Sequence, residues 1–262
     1  VQGRSEVWVG EQSGKTQDRG EVVPATDCVV ACASVAPKGN KKYVALTFDE
    51  GPSGATKQIL QVLKEKGAAA TFFLSGDAVE ASPATAKAIV DAGCEIGSNS
   101  YSDDSLKGQD REAVREQITK GTDAIKSATG VKTMLLRAPY AAFDEQNWID
   151  AMDLVSAVVS WNIDSGDWLL NGADEQVSTV LDSVTPGNIV LLTDRDECAE
   201  QTLEALPQII DGLIADGYKI VTLSDLVKTD TSLSKKLTSL TKATMPKDAV
   251  FPQLAEDDDT TE

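Results

Sequence analysis

The 262 residues contain no histidine. Imidazole is the side chain that ordinarily titrates near neutrality and a leading nitrogen ligand of zinc, so its absence removes histidine-based acid/base chemistry and histidine-ligated metal from the functions open to this chain. Cations are scarce as well: 24 Lys and Arg stand against 42 Asp and Glu, a net charge of -18. That surface repels a phosphate backbone instead of releasing its counterions, which argues against nucleic acid and anionic membranes as partners. Long apolar runs are also missing. The longest candidate, Cys28 to Ala36, is short and broken by polar residues, whereas crossing a bilayer takes roughly 20 apolar residues, so no transmembrane segment is expected.

Cysteines number only four, Cys28, Cys32, Cys94 and Cys198. They admit one or two disulfides, and the spacing Cys28-x-x-x-Cys32 is not a usual zinc knuckle. A Cys28–Cys32 link and idle thiols both stay open. What is present is ordinary for a folded domain: 41% apolar and 25% charged residues, in a length that fits one large α/β unit. The first residue is Val1, not an initiator Met; the expectation is that an upstream export signal or anchor has been removed and that the location is extracellular or cell-surface.

Residues 1–40 are rich in Gly, Ser and charge with little periodicity and read as an N-terminal extension, partly irregular. From Lys41 apolar strand-like runs recur: Tyr43 to Phe48, Ala69 to Leu74, Cys94 to Ser98, Thr133 to Arg137, Val155 to Trp161, Asn188 to Thr193 and Lys219 to Leu223. Helical spacing separates them, as in Ile59, Leu60, Leu63, then Ala84, Ala88, Ile89, then Ala113 to Ile125 and Leu203 to Ile214. Alternation of this kind requires right-handed crossovers and a mostly parallel sheet, open or closed into a barrel, with function at the carboxyl ends of the strands. The main domain is assigned to residues 41–229. Residues 230–262, ending in an acidic run from Glu256 to Asp259, read as a polar tail.

Five segments fall where strands should end: Thr47-Phe48-Asp49-Glu50-Gly51-Pro52, Gly97-Ser98-Asn99-Ser100-Tyr101-Ser102-Asp103, Arg137-Ala138-Pro139-Tyr140, Asp164-Ser165-Gly166-Asp167-Trp168 and Leu191-Leu192-Thr193-Asp194. Singly, each is explained by turn chemistry, since Asp, Gly and Pro end strands for conformational reasons. In this order and spacing, with Lys66 to Phe73 and Gly217 to Leu223 in support, they resemble the NodB-homology polysaccharide deacetylases, carbohydrate esterase family 4, over roughly Lys41 to Val227. The resemblance implies a distorted (β/α) barrel of about seven parallel strands. It also implies N-acetylated glycans, peptidoglycan or chitin-like, as the substrate class.

Amide hydrolysis needs an activated water, a Lewis acid on the carbonyl, a base, and an acid for the leaving amine. By the resemblance, Asp49 stands at the base, Glu50, Asn99 and Asp103 at the metal-ligand positions, and Thr193 at the position of the family's acidic histidine. Arg137 matches the residue that pairs with the base and Asp167 the one that orients the acid. Tyr140 matches the residue whose backbone amide faces the oxyanion, and Trp168 and Leu191 match the walls of the acetyl pocket. Ala141 stands where the family usually has Gly. Every imidazole of that mechanism is missing. An oxygen-only set does not suit zinc, so no zinc and no other firmly held cofactor is expected; calcium or magnesium is the class such donors would accept. A threonine hydroxyl does not protonate an amine at neutral pH.

Loss of acid and ligands together should remove more than the ~10²- to 10⁴-fold of a single acid/base group. The leading expectation is therefore an inactive domain that keeps a groove for N-acetylated glycan. Two others stand beside it: a hydrolase of carbon-nitrogen bonds using Asp49, Glu50 and Asp103 around an oxygen-liganded metal, and a structural or partner-binding module in which Arg137–Asp49 is only a buried ion pair and Trp168 only core.

Overall fold

A computed structural model describes residues 7–9, 30–33, 35–133, 135–151, 154–155 and 157–233. Ten strands form one sheet among them: β1 (Val7–Val9), β2 (Val30–Ala33), β3 (Tyr43–Asp49), β4 (Thr71–Leu74), β5 (Glu95–Ser98), β6 (Leu135–Leu136), β7 (Ala157–Val159), β8 (Ile163–Asp164), β9 (Ile189–Thr193) and β10 (Lys219–Val221). Their order is β2-β1-β7-β6-β5-β4-β3-β9-β8, with β10 beside the first residues of β3, and every pair is parallel. The helices are α1 (Thr56–Lys66), α2 (Gly76–Ala81), α3 (Pro83–Asp91), α4 (Arg111–Thr129), α5 (Glu145–Ala151), α6 (Ala173–Ser183), α7 (Ala199–Ala215) and α8 (Leu223–Lys228). Each of the seven runs expected from sequence contains a strand, and together these strands curl into a half-barrel with helices outside it.

Period-two alternation places the two faces. Val44, Leu46 and Phe48 of β3 join Phe72 and Leu74 of β4 in the cluster packed under α1, α3 and α7, while Ala45 and Phe73 turn inward with Trp161, Ile189 and Leu191. Thr47 and Asp49 share the phase of Ala45, so the inward face of β3 becomes polar toward its carboxyl end. A third cluster, with Leu106, Val114, Ile118 and Phe143, packs α4 over β6 and β7. Helix α1 ends at Gly67 with φ 63°, where the left-handed cap closes onto Leu63 and Lys64 carbonyls.

β1 and β2 fall in the stretch read as a partly irregular extension, and β1 pairs with β7, so the sheet reaches into residues 1–40. β8 was not anticipated, being two residues long. Ala84 is exposed, and α3 buries Ala86 and Ile89 instead. At the other end the expected tail begins packed: Leu233 is buried among the inward-facing residues and the Asp230 carboxylate accepts the Ala36 N–H at 3.0 Å. Cys94 and Cys198 are free thiols. Cys28 lies outside the described residues, as does most of the C-terminal stretch, so the Cys28–Cys32 link cannot be placed. No helix among the described residues is long and apolar enough to cross a membrane.

Candidate functional site

The five segments converge at the carboxyl end of the half-barrel. Arg137, leaving β6, has no exposed surface. Its guanidinium donates to Asp49 Oδ1 and Thr47 Oγ1 at 2.7 Å each, to the Val159 carbonyl at 3.2 Å and to the Ser160 carbonyl at 3.0 Å. The Phe73 ring lies 4.1 Å from its Cζ and the Trp161 ring 5.6 Å. Burial pulls the Arg137 guanidinium below its ordinary pKa, opposed by Asp49. A buried cation is tolerated only when its donors are satisfied, and here these bonds engage all three nitrogens.

Asp167 forms a second buried node. Its carboxylate accepts the Thr193 N–H at 2.7 Å, the Thr193 hydroxyl at 2.9 Å and the Thr202 hydroxyl at 3.0 Å. Burial nonetheless pushes its pKa up to about 6. A carboxyl whose folded pKa exceeds its unfolded one binds more protons in the folded state, so its contribution to stability falls as pH rises from about 4 to about 6 and stays lost above. Urea unfolding of wild type and Asp167→Asn across that window should show the variant gaining about 3 kcal/mol relative to wild type between pH 4 and pH 7. Parallel stability curves for the two proteins would contradict this.

The three metal-ligand positions are engaged in other ways. Asn99 is buried and its amide donates to the Arg137 carbonyl at 2.8 Å. Asp103 is exposed and accepts the Tyr140 hydroxyl at 2.7 Å. Glu50 is half-buried and pairs with Arg195 at 2.9 Å. Arg195 also lies 4.0 Å from Asp103 and 3.6 Å from Glu197. Among the described residues no group of three or more Cys, Asp or Glu is arranged to hold a metal ion. Burial, then the bond to Asp103, drives the Tyr140 hydroxyl up to about 12.

Trp168 is half-buried, with its indole N–H on the Asp164 carboxylate at 3.1 Å and 3.2 Å. Leu191 is 2% exposed and belongs to the inward-facing core. The loops after β6 and β8 carry Tyr140, Leu169 and Leu170, three of the four large apolar side chains exposed among the described residues, which gives this end an apolar rim.

Local backbone strain concentrates here. Glu50 (φ 72°), Ser100 (φ 65°), Tyr140 (φ 60°) and Ala141 (φ 52°) all adopt the left-handed region without being glycine, at about 1–3 kcal/mol each. Ala141 thus keeps a backbone geometry that glycine adopts freely, in spite of its Cβ. Gly51 and Gly121 answer a different need: a Cβ on the first would collide with the Asp194 carboxylate, and on the second with the Ser100 carbonyl. Those close approaches seat the loops bearing Glu50 and Asp103.

Arg195 was not anticipated from sequence. Its neighbours fix its place: Asp194 accepts the Ser53 and Thr56 hydroxyls at 2.6 Å each and donates its backbone N–H to the Asp49 carbonyl at 2.8 Å, while Asp196 accepts the Gly54 N–H at 2.8 Å. The only signal in the sequence is a single cation inside Asp194-Arg195-Asp196-Glu197, just past the fifth segment.

Residues 36–155 match the family described as polysaccharide deacetylase. A bifunctional xylanase/deacetylase of Pseudobutyrivibrio xylanivorans is 37% identical over 189 residues, 71% of this chain and 31% of that protein. A peptidoglycan-N-acetylglucosamine deacetylase of Bacillus cereus is 32% identical over 217 residues, 82% of this chain and 79% of that one. Among solved structures, a CE4 family pseudoenzyme from Bacillus anthracis is 31% identical, superposes with a TM-score of 0.67 and shares 75% of this chain and 70% of its own; a mutant of it has restored enzymatic activity. The chain spans only 31% to 44% of the length of the first curated relatives it matches.

Proposed function

This chain belongs to the polysaccharide deacetylase family, and from that premise we propose that it is a non-catalytic member which binds N-acetylated glycan at the carboxyl end of its half-barrel. The observation that carries the reading is Thr193. Its hydroxyl and its N–H are both committed to Asp167, at the position where the resemblance calls for an acid able to protonate a leaving amine. The charged framework of Asp49–Arg137 and Asp167 stays bonded and buried, and the chain has no imidazole to protonate a leaving amine at position 193.

The metal positions support the same reading. Zinc prefers nitrogen and sulfur donors, and Glu50, Asn99 and Asp103 offer oxygen beside a guanidinium, a set that does not fit zinc. Peptidoglycan and N-acetylglucosamine are the substrates named for relatives, and we carry that ligand class to this chain. Tyr140, Leu169 and Leu170 supply apolar surface against which a sugar ring can lie, with Asp103 and Arg195 as polar neighbours. Loss of activity has precedent within the family in the Bacillus anthracis pseudoenzyme.

The test is a paired measurement on purified protein. N-acetylglucosamine oligomers should bind saturably by calorimetry, with no acetate released and no stoichiometric zinc by elemental analysis. Acetate release with bound metal would establish instead the rival reading, an oxygen-liganded amide hydrolase, for which the names of the relatives speak. Absence of both binding and acetate would leave a structural module.

A further inference from the structure

The geometry points to Arg195 as the resident cation of this site, a guanidinium that takes the role of a divalent ion between Glu50 and Asp103. The inference rests on the non-catalytic reading above and adds the residue that replaces the metal. Two of the three positions at which the resemblance puts metal ligands face this one side chain, Glu50 at 2.9 Å and Asp103 at 4.0 Å. Glu50 and Asp103 come from different loops, after β3 and after β5, so a charge between them does what a shared ion does: it holds two like-charged loops together.

An ordinary surface ion pair would be mobile and worth little, typically ~0–1 kcal/mol. Arg195 differs because the residues on both sides of it are anchored to the β3–α1 loop that also carries Glu50. Asp194 is buried, with both carboxylate oxygens on Ser53 and Thr56, and Asp196 holds Gly54. Asp103 is steadied from its own side by the Tyr140 hydroxyl at 2.7 Å. Glu50, Asp103 and Glu197 all surround the guanidinium and raise its pKa further, Glu50 most. A guanidinium is planar, permanently charged and rich in donors, which suits it to bridge carboxylates but not to yield its place to a second cation.

Manganese tests this directly, since oxygen-only donors favour hard divalent ions. Calorimetric and electron-paramagnetic titrations would compare the wild-type chain with Arg195→Ala, Arg195→Gln and Arg195→Lys, each checked for folding by circular dichroism. Arg195→Ala and Arg195→Gln should bind Mn²⁺ at least about tenfold more tightly than wild type, the factor that corresponds to about 1.4 kcal/mol. Arg195→Lys, which keeps the charge, should stay with wild type, and adding Glu50→Gln to Arg195→Ala should abolish the gain. If one of the two neutral variants fails to fold, the other carries the test. Equal Mn²⁺ affinity in wild type and the neutral variants overturns the inference, and so does failure of every folded neutral variant to bind. Oligosaccharide titration of the same wild-type sample reports on the glycan-binding reading by itself, so the two can fail separately.

Discussion

A variant carrying Glu50→Asp, Asn99→His, Asp103→His, Thr193→His and Arg195→Ala together is expected to bind one zinc ion with a dissociation constant of about 1 µM or tighter, equivalent to about 8 kcal/mol, and to release acetate from N-acetylglucosamine oligomers. The scaffold around these positions is in place: Asp49 is oriented by Arg137 at 2.7 Å, and Asp167 stands ready to accept from a side chain at 193 as it now accepts the threonine hydroxyl at 2.9 Å. Two dissections give the result content. Restoring Thr193 while keeping the other four changes should leave zinc bound and lower turnover by about 10²- to 10⁴-fold, the share of one general acid. Restoring Arg195 should weaken zinc at least about tenfold, because a fixed positive charge then competes for the same carboxylate. A folded fivefold variant that takes up no zinc would mean that the loops after β3 and β5 no longer approach as the family chemistry requires.

Breaking the ion pair beneath the site should have the largest effect on stability. Arg137→Met or Asp49→Ala is expected to lower the unfolding free energy by about 3–5 kcal/mol, since each leaves an uncompensated buried group. Arg137→Met also removes the donors that the Val159 and Ser160 carbonyls accept from. The double variant should lose clearly less than the sum of the two, because the unpaired charge is then gone as well. Chemical denaturation of the four proteins closes the cycle. Additive losses would show that the pair is not coupled and that Arg137 acts through its bonds to the Val159 and Ser160 carbonyls and its packing against Phe73 and Trp161.

Much of the architecture was legible because it is written in periodicity. The alternation in Tyr43 to Phe48 and the repeated switch to helical spacing gave the seven principal strands and a parallel sheet. The strands that were missed are short, and their pairing is decided by distant partners: Val7–Val9 and Val30–Ala33 lie in a Gly- and Ser-rich context, and Ile163–Asp164 is held by β9. The inward face of α3 escaped because alanine at 84 or at 86 fits the same pattern, and only packing against the sheet chooses. In α6 the buried face includes Gln176 and Thr179, which blunts any apolar stripe.

At the site, the segments that end strands could be picked out by residue type, and the structure gathers Asp49, Glu50, Asn99, Asp103, Arg137, Tyr140, Asp167 and Thr193 at one end of the half-barrel. Trp168 lies in the turn after β8, and Leu191 sits within β9 as part of the core beneath. Arg195 could not be picked out in that way. A lone arginine in an acidic turn has the look of a solvated charge, and its meaning depends on Glu50 and Asp103 arriving from loops far away in the chain.

Because Asp194 and Asp196 tie the turn that bears Arg195 to the loop after β3, the positive charge of this site is part of the polypeptide itself. Such a charge is not withdrawn by a chelator, is not displaced by a competing ion, and is not released in acid while the fold persists. If Arg195 holds the place of the ion as inferred, the site draws on no trace element from its surroundings.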